Sequence, residues 1–128
     1  MPTIEILIAD DHGSFRRNLR LLLESRSDWR VCGEAADGEL AVEKAKQLRP
    51  HVVLMDLSMP KMDGGRATRL IRQKVPESKV IIVSQNDPEV LRQQARELGA
   101  VAWVAKCNLA TDLIPTIQQA ITKEANTL

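Results

Sequence analysis

Several polar residues stand directly behind apolar runs in this chain, and their types could do chemistry together. Asp10-Asp11 follow Ile4-Glu5-Ile6-Leu7-Ile8-Ala9, Asp56 follows His51-Val52-Val53-Leu54-Met55, Ser84 follows Lys79-Val80-Ile81-Ile82-Val83, and Lys106 comes shortly after Val101-Ala102-Trp103-Val104. Ligands of open parallel α/β sheets collect outside the carboxyl ends of the strands. If the runs are such strands, acids, a hydroxyl and an amine converge on one edge. Three carboxylates brought together repel one another and carry raised pKa values unless a cation compensates. The expected donors are oxygen only, with no His or Cys among them, which favours a hard ion. A partly hydrated Mg²⁺ that also takes phosphate oxygens suits so sparse a set. Lys106 adds a second positive group. With strands spaced by roughly 4.8 Å, two strand positions put Lys106 about 10 Å from Asp56 in a flat sheet, a gap that twist and a long side chain can bridge.

The elements that must hold these residues are legible in the periodicity. The three strongest runs are short, rich in β-branched residues and apolar throughout, as strands buried on both faces are. Arg30-Val31-Cys32-Gly33-Glu34-Ala35, just after Trp29, alternates more and resembles an edge strand, as does Val101-Ala102-Trp103-Val104. Between the strands the period becomes helical. Phe15, Leu19, Leu22 and Leu23 share one face, and the same spacing recurs over Leu40 to Leu48, Ala67 to Ile71, Val90 to Leu98 and Leu113 to Ile121. Five alternations of strand and helix favour an α/β domain with a parallel sheet and right-handed crossovers. With Thr111 as N-cap, Pro115 falls in or just past the first turn of the last helix, where a missing N–H costs little; a start at Asn108 implies a kink instead.

Composition excludes several classes of function. Hydrophobic residues make up 44% of the chain and charged residues 27%, an ordinary globular mixture at a length that suits one core. Only 2% of residues are aromatic, so Leu, Ile, Val and Ala must fill the interior. The formal charge of +1 provides no field to hold nucleic acid or an anionic membrane. No apolar run reaches bilayer-spanning length, and the N-terminus lacks a signal-peptide layout, so a cytoplasmic protein is expected. Cys32 and Cys107 form no CxxC or metal-ligand spacing and read as ordinary buried or half-buried thiols. The arginines of the first and third helices, including Arg16, Arg17, Arg66, Arg69 and Arg72, read as solvated faces.

Asp10-Asp11, Asp56 with Met59-Pro60 and Asp63-Gly64 behind it, Ser84, Gly99-Ala100, Trp103 and Lys106 stand in the order and at the spacing of a known family. Over nearly the whole chain the sequence resembles bacterial response-regulator receiver domains. The resemblance implies a single doubly wound, flavodoxin-like domain over residues 1–128, with a five-stranded parallel sheet in the order 2-1-3-4-5 and five flanking helices. It implies Asp56 as phosphoryl acceptor from a sensor histidine kinase or small phosphodonors. Asp11 becomes a direct Mg²⁺ ligand, Asp10 a ligand chiefly through water, the Ser58 carbonyl a further ligand, and Lys106 and Ser84 contacts to the phosphoryl oxygens. Ser84 and Trp103, the latter standing where the family usually has Tyr or Phe, become the switch. Such a protein catalyses its own phosphorylation and dephosphorylation rather than turning over a substrate. Its implied partners are the kinase, a downstream effector or fused output domain, and a second copy in a phosphorylation-dependent homodimer. Cys107 replaces the proline that often follows the lysine, as in regulators with a LuxR-type output.

Each of these residues alone has a plainer reading: Asp10 and Asp11 as an N-cap, Lys106 as a solvated loop charge, Ser84 as a turn former, Trp103 as edge-strand packing. Four strand ends supplying complementary groups argue for the joint reading. A haloacid-dehalogenase-type phosphatase needs a second acid two residues after the nucleophile, where Ser58 stands. A dinucleotide-binding domain needs a GxGxxG after the first strand, which is absent. The remaining alternative is a receiver-like interaction module that works without phosphorylation, for which Gln85 beside Ser84 is the one feature.

Overall fold

Ile6, Leu7 and Ile8 are wholly buried, as are Val52 and Val53 and Ile81 and Ile82, so the three central runs are covered on both faces as their composition requires. The structure is a computed structural model that describes residues 3–125. Its elements are β1 (Ile4–Ala9), α1 (Gly13–Glu24), β2 (Trp29–Ala35), α2 (Gly38–Leu48), β3 (Val52–Met55), α3 (Gly64–Lys74), β4 (Lys79–Ser84), α4 (Pro88–Leu98), β5 (Ala102–Ala105) and α5 (Leu109–Ala125), with a 3₁₀ turn over Lys106–Asn108 leading into the last. The strands form one parallel sheet in the order β2-β1-β3-β4-β5. The two weaker runs are its edges, as their alternation indicated.

Strand periodicity divides the core in two. Ile6, Ile8, Leu54, Ile81 and Val83 face a layer that includes Leu19 and Leu23 of α1 and Leu113 and Ile117 of α5. Leu7, Ala9, Val53, Met55 and Ile82 face the other layer, with Ala41 and Ala45 of α2, Ala67 and Ile71 of α3, and Leu91 and Ala95 of α4. Each buried Ile or Leu contributes roughly 1.5–3 kcal/mol. Val90, which the helical period placed on the apolar face of α4, is exposed; Leu91 takes the core position.

Three helices begin on an aspartate whose carboxylate accepts a backbone N–H inside the first turn: Asp37 from Leu40, Asp63 from Arg66 and Asp87 from Glu89. Gly99, with φ of 74°, closes α4 in the left-handed region that favours glycine. The last helix departs from expectation. Thr111 is not its N-cap, because the 3₁₀ turn winds directly into a helix that starts at Leu109, leaving Pro115 inside it. The Thr111 hydroxyl donates instead to the Asn108 carbonyl at 3.2 Å. The proline withholds a donor from the Thr111 carbonyl, and Thr111 is exposed, so water can take that place.

Two glycines set how closely helices approach the loop after β3. A Cβ on Gly64 would lie 1.9 Å from the Asp56 carbonyl oxygen, and one on Gly38 would lie 2.0 Å from that of Met62. Both distances are far inside contact, so α3 and α2 can seat against this loop only because these residues carry no side chain.

Candidate functional site

The sheet's hydrogen bonding continues one residue past the strands and sets two acids side by side. The Asp10 N–H donates to the Ala35 carbonyl at 3.0 Å, and the Asp56 N–H donates to the Ala9 carbonyl at 2.9 Å. Asp10 is 1% exposed and Asp56 6%, while Asp11, next in the chain, is exposed. Burial pushes the Asp56 carboxyl up to about 6. Lys106 opposes that shift, Asp10 and Asp11 add to it, and the Ser58 backbone N–H opposes it by bonding to the carboxylate.

Lys106 and His12 close over the acids. Lys106 places its Nζ 2.8 Å from Asp10 Oδ2 and 3.8 Å from Asp56 Oδ2, and 4.1 Å from the centre of the Phe15 ring. The 3₁₀ turn at the end of β5 turns this side chain inward. His12 Nδ1 lies 3.2 Å from Asp10 Oδ1 and 3.0 Å from Asp11 Oδ1, and the His12 backbone N–H donates to Asp10 Oδ1 at 2.8 Å. Asp10, Asp11 and His12 thus offer one ligand atom each within 4.8 Å of one another. The expectation of donors without histidine is corrected here: His12 directly follows Asp11, and adjacency alone was the signal for it. The acids suit a hard divalent cation, whose charge would offset neighbouring carboxylates of which Asp10 and Asp56 are buried.

Ser84 is buried at the end of β4, where its Oγ accepts the Asn86 N–H at 3.2 Å. Ser58 is exposed on the loop after β3. Between that loop and the one after β4 opens a groove of about 400 Å³ whose lining includes Leu57, Ser58, Asp63, Asn86 and Gln94. Gln85 is exposed. Trp103 is half-buried on β5 opposite Ile82 and packs against the α2-α3-α4 layer. The structure thus gathers Asp10, Asp11, Asp56 and Lys106 at one edge, with Ser84 and Ser58 on the adjoining strand end and loop.

Arg16 is not the solvated residue that helix periodicity suggested. It is half-buried, and it donates from Nη1 to the Asp10 carbonyl at 2.6 Å and from Nε to Glu34 Oε1 at 2.8 Å. Arg20 reaches the other oxygen of Glu34 at 3.0 Å. Burial alone would raise the Glu34 carboxyl, but the hydrogen bonds from Arg16 and Arg20 hold it below the usual carboxylate range. Cys107, expected to be at least half-buried, is exposed; Cys32 is half-buried, and both are free thiols.

A parallel 2-1-3-4-5 sheet with acids and a lysine gathered at its carboxyl edge defines a class of signalling domain, and the comparisons agree. Residues 6–118 match the response regulator receiver domain, and the chain belongs to that family. It is 34% identical over 122 residues to the transcriptional regulatory protein YxjL of Bacillus subtilis, covering 95% of this chain and 56% of that one. To the response regulator VraR of Staphylococcus aureus it is 36% identical over 119 residues, covering 91% and 56%. Among solved structures, a LuxR-family two-component response regulator from Aurantimonas superposes with a TM-score of 0.88 at 31% identity, covering 94% of this chain and 86% of that one. The chain spans about half the length of the curated relatives it matches. Among the described residues no helix is long and apolar enough to cross a membrane.

Proposed function

We propose that residues 1–128 form one cytoplasmic receiver domain that accepts a phosphoryl group from a sensor histidine kinase on Asp56, with Mg²⁺, and passes its state to an effector or fused output domain or to a second copy of itself. The observation that carries this reading is the buried Asp56 carboxylate facing Lys106 and flanked by Asp10 and Asp11. Asp10, Asp11, Asp56 and the Ser58 carbonyl would hold Mg²⁺. When bound, that ion supplies charge neutralisation to the phosphoryl oxygens, which otherwise repel an anionic nucleophile.

The chain's own residues do the rest. An Asp56 carboxylate oxygen attacks phosphorus, the bond from phosphorus to the donor nitrogen breaks, and an acyl phosphate forms on the side chain. Lys106 lies within side-chain reach of both Asp10 and Asp56, so its ammonium can leave Asp10 and follow the new charge. Ser84 has its hydroxyl beside the same edge and donates to a phosphoryl oxygen once the Asn86 turn relaxes. Trp103 then repacks against the loop that Ser84 vacates, altering the face it shares with α4.

Acetyl phosphate or phosphoramidate with Mg²⁺ should add one phosphoryl group, read by intact mass, and Asp56→Asn should abolish the addition. Failure with several donors and a cognate kinase would sink this reading and favour an interaction module that works without phosphorylation.

A further inference from the structure

We infer that Arg16 is a positioning residue that clamps the Asp10-Asp11 turn from behind and so sets the affinity of the acids for their divalent cation; this rests on the function proposed above. The backbone of the turn is fixed at three points. The Asp10 N–H is bonded to Ala35 of β2, the preceding carbonyl of Ala9 accepts from Asp56 just past β3, and the Asp10 carbonyl, the first beyond β1, receives Arg16 Nη1 at 2.6 Å. Without Arg16 that carbonyl has no strand to pair with, and the peptide joining Asp10 to Asp11 loses the bond that fixes its plane. That plane decides where the Asp11 side chain leaves the backbone.

The clamp is itself braced. Arg16 uses Nε on Glu34 while Nη1 holds the carbonyl, a two-ended grip that a lysine cannot reproduce. Glu34 is steadied by Arg20 through its carboxylate and by Lys44 through its own carbonyl. Arg16 therefore brings a positive charge close to the acids without occupying a carboxylate oxygen, in contrast to Lys106 and His12, which lie directly on them. A cation that takes the carboxylate oxygens can leave Arg16 in place.

The test is Mg²⁺ affinity by isothermal titration calorimetry, with the phosphorylation rate followed as a function of Mg²⁺. Arg16→Gln should weaken Mg²⁺ binding about tenfold, the scale of one lost charge-assisted hydrogen bond, while the rate at saturating Mg²⁺ stays near that of wild type. Arg16→Lys should fall between the two. Arg20→Gln, which loosens Glu34 but leaves the bond to the Asp10 carbonyl, should weaken Mg²⁺ binding clearly less than Arg16→Gln does. Near-UV circular dichroism of the tryptophans confirms that each variant is folded. Equal Mg²⁺ affinity in wild type and Arg16→Gln, or equal losses in Arg16→Gln and Arg20→Gln, would overturn the clamp. A wild-type protein that binds no Mg²⁺ would overturn the cation reading and the clamp with it.

Discussion

Asp56 holds its proton more tightly in the fold than in the unfolded chain, and this has a definite sign. With the folded carboxyl at about 6 against an ordinary value of 3.8, the group's favourable contribution is fully present below the ordinary value and is lost as pH rises through about 6. Ion-free protein at pH 7 therefore carries a penalty on the order of 3 kcal/mol. Asp56→Asn should raise the melting temperature of ion-free protein at pH 7, and the gain should vanish near pH 4; an equal gain at both pH values would assign it to packing instead. The same carboxyl should make Mg²⁺ affinity fall as pH drops below about 6, because protons and the cation compete for it. The acids and Lys106 were legible because each ends or follows an apolar run. His12 and Arg16 were not. Histidine beside Asp11 reads equally as a helix-entry residue, and nothing in helical spacing pairs Arg16 with Glu34 on a different element.

The elements that carry Asp56 are sensitive at a position that looks unremarkable in sequence. Gly64 opens α3 with the space for its Cβ already filled by the Asp56 carbonyl. Gly64→Ala should cost about 1–3 kcal/mol in denaturant unfolding and slow phosphorylation, because the helix must back away from the Asp56 backbone. Gly65→Ala meets Asp63 Oδ1 at 3.2 Å and should be far milder; equal losses at the two positions would mean that helix entry, not contact with Asp56, sets the cost. The central strands could be read from composition because burial on both faces leaves no polar positions. The aspartate caps of α2, α3 and α4 agree with local chemistry in the same way. The start of α5 escaped because Lys106–Asn108 winds into the helix without a capping side chain, so Thr111 looked like the nearest cap.

Across the whole molecule the sheet separates two tryptophans. Trp29 is buried in the α1-α5 layer with Arg26 stacked 4.8 Å from its ring, whereas Trp103 is half-buried against the α4 side. In a Trp29→Phe protein, fluorescence therefore reports Trp103 alone, and phosphorylation should shift its intensity or wavelength. An unchanged spectrum after full phosphorylation would reduce Trp103 to static packing. Strand order and edge positions were expected from the resemblance and from alternation, and the sheet matches both. The division of supports between the layers was not legible, because it depends on which helix each strand face meets.

That division has a consequence for descent. Arg16 and its brace join α1 to β2, while Trp103 on β5 packs against the layer of α2, α3 and α4. Substitutions at well-separated sites combine nearly independently. On the proposed function, lineages of this domain can vary the Trp103 face without disturbing the acid edge that Arg16 holds.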